Sequence, residues 1–139
     1  MPVPPVGLRH RESVKVDASL TVPNVSPSFP NFRDMPPVFA TAYMVGFVEQ
    51  ACVEALKPYL ETSQRSVGTH IDMSHTAATP IGMTVTAEVE LIAVEGRQLR
   101  FKVECRDEKD VIGSGHHGRF IVDLPKFMAR LEEKSRGRS

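Results

Sequence analysis

Residues 38–59 read VFATAYMVGFVEQACVEALKPY and predict a helix at the centre of the fold. Prolines bracket this stretch, with Pro36 and Pro37 before it and Pro58 near its end. It is too short, and too interrupted by Glu49, to span a membrane. Its apolar residues recur at the spacing of one buried helical face: Met44, Val48, Ala51, Cys52, Ala55 and Leu56. We therefore expect a helix that the rest of the chain buries on most sides.

Glu49 is the single charged residue between Val38 and Val53. Its neighbours one helical turn away offer no counter-ion; they are Val45, Gly46, Cys52 and Val53. A carboxylate in such a place must find a distant partner, bind something, or carry a raised pKa. The competing interpretation is an ordinary glutamate that points from the helix into solvent. The isolated charge predicts a functional site around Glu49.

Composition excludes several classes of function. Lys and Arg together number 17, as do Asp and Glu, so a net charge of zero argues against an electrostatic grip on nucleic acid. Cys52 and Cys105 fall in apolar patterns and the N-terminus has no signal-peptide core, which indicates a reducing, cytoplasmic setting. The two cysteines and five histidines supply no zinc signature, so we expect no metal.

Outside the helix, apolar residues alternate with the period of β-strands. A Glu95-Gly96-Arg97 hairpin turn separates the two clearest strands. We expect the segment from Thr21 to Val25 either to extend the first strand or to pair with a nearby strand. Gly113 and Gly115 predict a bulge or a close backbone approach in the last strand. The predicted strands are Leu8–Val16, Ser66–Ala77, Met83–Val94, one around Leu99–Cys105, and Val111–Leu124.

A proline-rich segment from Pro23 to Pro37 precedes the central helix and resists both helix and central strand. Phe29, Phe32 and Met35 give this ordered loop apolar anchors. Such a loop is either a lid or pocket wall, or a segment pinned by ordinary packing.

The order of elements predicts an α+β protein, in which an antiparallel sheet wraps around one apolar helix. This layout is the hot-dog fold. We expect a flexible tail over residues 1–7, a single domain over 8–130, and a fraying C-terminal helix end over 131–139. The open edge of such a sheet favours pairing of subunits, so we expect a homodimer or a tetramer with sites near the subunit boundary.

Three further residues carry chemistry of the type used in acyl transfer. Thr41 begins the helix, where it either caps the backbone or presents its hydroxyl to a ligand. His75 lies in a predicted strand and is either structural or a proton-transfer group. Gly68 in the same strand either marks a bulge or exposes an amide that binds an oxyanion.

Several segments resemble the fluoroacetyl-CoA thioesterase family, whose members are hot-dog hydrolases. The resemblance covers roughly residues 29–130 and rests on residues 38–52, SHTAATP at 74–80, VEGR at 94–97 and IGSG at 112–115. It implies that Thr41, Glu49 and His75 are catalytic. It also implies that the Gly68 amide faces the thioester carbonyl.

The resemblance places the substrate pocket near three more residues. Arg119 matches an arginine beside the pocket, and Phe32 matches an aromatic residue of the lid loop. Met35 stands where the family has a phenylalanine gate tied to discrimination for the fluorinated acyl group. Gln50 replaces a tryptophan beside Glu49. These two departures weaken the expectation of strict fluoroacetyl specificity.

The resulting hypothesis is hydrolysis of a small acyl-CoA, with CoA as part of the substrate and no separate cofactor. Glu49 acts as nucleophile or as general base, His75 moves protons, and Thr41 orients Glu49 or the substrate. The first alternative is a binder of CoA esters that catalyses nothing. A hot-dog dehydratase and a scaffold without a site are weaker alternatives.

Overall fold

The structure is a computed structural model that describes residues 3–137. Its strands and helices follow the predicted order closely. Short 3-10 turns occupy parts of the connections. The elements are β1 (Arg9–Lys15), α1 (Thr41–Leu56), β2 (Gln64–Met73), β3 (Thr84–Glu95), β4 (Gln98–Arg106), β5 (Val111–Asp123) and α2 (Leu124–Arg136).

Within the described residues, five strands form one antiparallel sheet in the order β1-β3-β4-β5-β2. Strand alternation sends every second side chain of β3 and β4 to the same face, where Val89 pairs with Val103 and Leu91 with Phe101. That face is buried against α1. An antiparallel sheet packed around one central helix is the predicted α+β hot-dog fold.

The predicted buried face of α1 is confirmed, because Met44, Val48, Ala51, Cys52, Ala55 and Leu56 are all buried. The opposite face is more open than we predicted. Ala42, Gly46 and Gln50 are exposed, and the Glu49 side chain is 42% exposed. The expectation of a helix covered on most sides is therefore wrong for the single chain, since a sheet covers only one face of a helix.

The strand β2 lies at one edge of the sheet, and its residues 65 and 68–72 are exposed. Its outer side has no neighbouring strand in the described chain, which leaves backbone donors and acceptors for another strand to pair with. The homodimer stays a prediction.

The connection before α1 differs from the predicted strand at 21–25. Residues Ala18–Leu20 and Val22–Asn24 form 3-10 turns, and Thr21 makes only an isolated bridge with Phe39. Pro23 favours the turn because it has no N–H for a strand ladder. Phe29 is 50% exposed and Met35 45% exposed, so these two residues are not the apolar anchors we predicted.

Contacts and secondary structure extend to both ends of the described residues, and the predicted domain bounds stay predictions. Residues 1 and 2 of the predicted flexible tail lie outside the described range, but Pro4 is buried and the Gly7 N–H donates to the Leu91 carbonyl (2.8 Å). α2 continues as helix past residue 130, the predicted end of the domain. No helix within residues 3–137 is both long and apolar enough to cross a membrane.

Candidate active site

The helix α1 carries two of the predicted catalytic residues, Thr41 and Glu49, eight residues apart. At 1.5 Å per residue, this spacing corresponds to about 12 Å along the helix axis. The two side chains therefore belong to two separate clusters in one chain. Glu49 meets residues of β2 and β5, and Thr41 meets the loop that follows β2.

Glu49 forms an ion pair with Arg119 on β5. The carboxylate Oε1 lies 3.1 Å from Arg119 Nη1, within hydrogen-bond distance, although the two residues are 70 positions apart. Arg119 is buried, whereas the Glu49 side chain is partly exposed. Of the three outcomes predicted for an isolated carboxylate, the structure shows the distant partner.

Arg119 is fixed on several sides by hydrogen bonds. Its Nε donates to the Ser66 hydroxyl and its Nη2 to the Ser66 carbonyl, both at 2.8 Å. Its Nη1 donates to Glu49 and to His117, both at 3.1 Å. These contacts occupy four of the five N–H groups of a guanidinium. Arg119 lies beside Glu49 with these donors directed to the protein, and its place beside the substrate pocket stays a prediction.

His117 is a member of this cluster that our sequence reasoning missed. It is buried, and its Nδ1 lies 2.7 Å from the His70 carbonyl oxygen. Burial lowers the pKa of His117, the charge of Arg119 lowers it further, and the His70 hydrogen bond and Glu49 act in the opposite direction. The signal was present in the sequence, because residues 117 and 119 of one strand share a face.

Gly68 lies in β2 opposite Arg119, and the strand register shifts between Gly68 and His70. The shift confirms the bulge interpretation of this glycine. A Cβ at Gly68 would lie only 2.5 Å from Glu49 Oε1. The missing side chain thus lets the carboxylate lie against the backbone of β2. A bulge and a close approach of a side chain to the backbone therefore occur here together.

Thr41 and His75 form the second cluster. Thr41 Oγ1 lies 2.7 Å from His75 Nδ1. The N-cap of α1 is Ala40, so Thr41 does not cap the helix. His75 follows the end of β2 at Met73 and lies in a loop, which corrects the predicted strand position.

The second ring nitrogen of His75 is the distinctive feature of this pair. Nε2 is buried and makes no hydrogen bond to any described residue. Burial lowers the pKa of His75, and the backbone of Ala77 acts in the opposite direction. An imidazole that is neutral near pH 7, with one nitrogen unpaired, is suited to exchange a proton with a ligand.

The loop that carries His75 is anchored to the body of the protein. Thr79 is fully buried; its hydroxyl donates to Asp107 Oδ2 (2.8 Å) and its carbonyl accepts from the Phe39 N–H (2.9 Å). On the other side, a Cβ at Gly113 would collide with the Ser74 carbonyl oxygen. The predicted close approach at Gly113 is therefore present, and it involves Ser74, the residue before His75.

The structure does not join all predicted residues within one chain. Thr41 is hydrogen-bonded to His75, whereas Glu49 is paired with Arg119, and the two clusters lie at different heights along α1. Phe32 and Met35 lie on the loop before α1, where the Phe32 ring packs edge-on against Phe29 at 5.6 Å between centroids.

Comparison with known proteins identifies the family. Residues 16–124 match the model of the fluoroacetyl-CoA-specific thioesterase family. A fluoroacetyl-CoA thioesterase of Streptantibioticus cattleyicolor is 47% identical over 130 residues, which cover 94% of each chain. A solved structure of a fluoroacetyl-CoA thioesterase superposes with a TM-score of 0.91 at 47% identity, over 94% of this chain and 96% of the other.

A more distant relative has the same architecture. A thioesterase superfamily member from Thermus thermophilus superposes with a TM-score of 0.85 at 27% identity, over 99% of this chain and 100% of the other. The close relatives share both the fold and nearly half of the sequence over almost the whole chain. This protein therefore belongs to the fluoroacetyl-CoA-specific thioesterase family.

Proposed function

We propose that this protein, a thioester hydrolase by family, cleaves a small acyl-CoA to the free acid and CoA. Related thioesterase structures contain acetyl-CoA in one case, and fluoroacetate with CoA in another. One observation carries the proposal: a partly exposed carboxylate, Glu49, is aimed by a buried arginine at a backbone position without a side chain, Gly68.

Glu49 has two routes to the products. In the covalent route, its oxygen attacks the thioester carbonyl, CoA leaves as the thiolate and takes a proton, and water then hydrolyses the acyl–Glu49 anhydride. In the general-base route, Glu49 takes a proton from water while that water attacks the carbonyl. Both routes need a donor for the oxyanion, and the proposed donor is the Gly68 N–H.

A second copy of the chain completes the site in this proposal. Thr41 lies about 12 Å from Glu49 along the axis of α1. Because His75 is hydrogen-bonded to Thr41, we infer that this pair does not share one thioester with Glu49 of the same chain. Gly68 lies on the free edge strand β2, so pairing of two such edges would bring the Glu49 cluster close to another subunit. We assign Glu49 and Gly68 to one subunit and the Thr41–His75 pair to the other.

The unpaired Nε2 of His75 supports a role in proton transfer. A buried polar atom without a hydrogen bond costs roughly 1–3 kcal/mol. We infer that the bound substrate or its leaving thiol supplies the missing partner. In the covalent route the departing thiolate takes its proton from solvent, and neutral His75 then accepts at Nε2 a proton from the water that hydrolyses the anhydride, while Thr41 holds the ring through Nδ1. His75 afterwards releases that proton to solvent.

The proposed substrates are short acyl-CoA esters, fluorinated and not. Met35 is flexible and 45% exposed, and a thioether fills space differently from a phenyl ring. With Met35 in place of the family's gate phenylalanine, and Gln50 in place of tryptophan, we expect weaker discrimination for fluorine. The cytoplasmic location and the absence of a cofactor besides the substrate's CoA stay predictions.

A thiol-release assay with acetyl-, propionyl-, butyryl- and fluoroacetyl-CoA tests the proposal. Glu49→Ala should lower kcat by roughly 10³-fold or more, because the reacting group itself is lost. Glu54→Gln, on the same helix, is the matched control and should keep its activity. Normal turnover by folded Glu49→Ala protein would refute the mechanism.

Met35→Phe should shift the preference within the panel toward fluoroacetyl-CoA.

The pairing of Glu49 with Arg119 also fits one competing function, the binding of CoA esters without catalysis. A carboxylate held by an arginine is also what an unreactive CoA-ester binder would have. Calorimetric binding of acetyl-CoA, followed by assay of the same sample for free thiol, separates the two functions. Tight binding with no thiol released from any ester of the panel would establish the binder.

A further inference from the structure

His117 touches the Glu49–Arg119 pair without touching Glu49 directly. Its Nε2 lies 3.1 Å from Arg119 Nη1 but 3.9 Å from Glu49 Oε1, which is too long for a hydrogen bond. On its other side, Nδ1 lies 2.7 Å from the His70 carbonyl oxygen on β2. The hydrogen-bonded link between His117 and the carboxylate therefore runs through Arg119.

The two neighbours of His117 determine its tautomer. Arg119 is a donor only, so the His117 Nε2 that faces it must accept and carry no proton. The His70 carbonyl is an acceptor only, so Nδ1 must donate and carry the proton. Both contacts require the same neutral ring with its proton on Nδ1. Protonation at Nε2 would break the contact with Arg119 and place two cations side by side.

Neutrality of this acceptor matters for Glu49. The Nη1 group of Arg119 has two N–H bonds, one for Glu49 and one for His117. A carboxylate in place of His117 would compete with Glu49 for the guanidinium charge, and a residue without an acceptor would leave a buried N–H unpaired. A neutral imidazole satisfies the N–H and leaves the charge of Arg119 directed at Glu49.

We propose that His117 is a positioning residue for Glu49: as a neutral acceptor it fixes the Arg119 guanidinium in the orientation that aims the Glu49 carboxylate at Gly68. This inference rests on the proposed role of Glu49 in thioester hydrolysis. The groups that face His117 are Arg119 on its own strand, Glu49 on α1 and His70 on β2. His117 itself has no contact with the substrate in this proposal.

Two substitutions of His117 test separately the acceptor role of Nε2 and the donor role of Nδ1. His117→Asn places an amide nitrogen near Nδ1, which keeps a donor for His70 and removes the acceptor for Arg119. His117→Gln places an amide oxygen near Nε2, which keeps the acceptor. We expect His117→Asn to lower kcat by about 10- to 100-fold with KM changed less than about threefold, because a misplaced catalytic group costs rate. His117→Gln should retain at least about a third of kcat.

Equal activity of His117→Asn and wild type would overturn the proposal. Equal loss in both variants would also overturn it, because that pattern indicates packing alone. Thermal denaturation of each variant shows whether it is folded. If His117→Asn does not fold, the comparison of His117→Gln with His117→Leu replaces it, with the same expected split.

Nitrogen-15 NMR of the wild-type histidines gives a readout independent of activity. We expect His117 as the neutral Nδ1–H tautomer at pH 7, and the Arg119 Nη signals separate in wild type and His117→Gln but merged in His117→Asn. An Nε2–H tautomer or a charged ring at pH 7 would overturn the positioning role. Absence of thiol release by wild-type protein would refute the proposed function alone, and these NMR signals would still decide whether His117 orders Arg119.

Discussion

Thr41 Oγ1 lies 2.7 Å from His75 Nδ1, so the first residue of α1 holds the imidazole of the loop that follows β2. Removal of this hydroxyl should leave the ring free to rotate. We expect Thr41→Val, which keeps the size and branching of the side chain, to lower kcat by about 100-fold. Thr41→Ser keeps the hydroxyl and should stay within about tenfold of wild type. Steady-state thiol release measures both, and equal rates for the two variants would contradict the orienting role.

On the acid side of the pH–rate profile, the rate should fall at a pH below the ordinary pKa of a histidine. Burial lowers the pKa of His75 from 6.5, so the ring stays neutral at pH values where a free imidazole is already charged. Activity that needs neutral His75 is therefore present above this lowered pKa and is lost as pH falls through it. We expect the acid limb of kcat/KM to have its midpoint below pH 6.5. A midpoint above that value would show that another group controls the limb.

Gly68→Ala should impair catalysis without unfolding the protein. The new Cβ would lie 2.5 Å from Glu49 Oε1, so the carboxylate must move, and Arg119 opposes that movement. We expect kcat to fall by about 10- to 100-fold and the melting temperature to change by only a few degrees, because the atom that shifts ends a flexible side chain. Gly46→Ala is the matched control, since a Cβ there meets nothing within 4 Å in the chain. An active Gly68→Ala enzyme would exclude the close approach as a functional feature.

Asp107 should control both the stability of the His75 loop and its sensitivity to acid. Burial raises the pKa of Asp107, but hydrogen bonds from the Lys109 and Asp110 N–H groups and from Thr79 outweigh it, and the net pKa is lowered below 3.8. Its stabilising contribution is therefore present above pH 3.8 and is lost as pH falls through the lowered value.

Asp107→Asn should lower the unfolding free energy at pH 7 and flatten the acid dependence, because the negative charge that these donors stabilise is lost. Thr79→Val removes the one hydrogen bond to Oδ2 and keeps the charge of Asp107, so its acid dependence should stay closer to that of the wild type. Urea titrations at pH 7 and at pH 3 measure both effects. An unchanged difference in stability between the two pH values in Asp107→Asn would contradict this assignment.

The free edge of β2 should mediate self-association. The Ser74 N–H donates to the Ser114 carbonyl on β5, and the alternation of antiparallel pairs then turns the Ile71 N–H to the outside. Ile71→Pro removes that outward donor without removing a bond to β5, and we expect it to yield a folded monomer. Ile71→Val keeps the N–H and should remain dimeric. Sedimentation of both variants tests this, and a dimeric Ile71→Pro protein would place the interface elsewhere.

Local periodicity was a sound guide to the elements. The spacing of Met44, Val48 and Leu56 gives a helix with one buried face, and alternation along Val85–Leu91 gives the inner face of β3. These patterns predict the fold because a helix and a strand each repeat their side-chain directions over a few residues. The same patterns do not reveal how far the outer face of α1 is covered, since coverage depends on the whole sheet.

Local sequence patterns likewise reveal only part of the candidate site. Glu49 stands out in the sequence because no neighbour within one helical turn can neutralise it. Its partner Arg119 is 70 residues away, and no local rule connects the two. His117 was missed although its spacing from Arg119 places both on one face, because strand alternation does not show which side chains are in contact.

The sequence by itself determined the central helix, the alternating strands and the types of residue available for acyl chemistry. Each of these follows from the order of residues over a short stretch of chain. Only the tertiary structure decided that Arg119 clamps Glu49, that Gly68 makes room for the carboxylate, and that Thr41 binds His75 instead of Glu49. The physical reason is that hydrogen bonds and ion pairs act over about 3 Å in space. The curled sheet sets those distances between residues far apart in the chain.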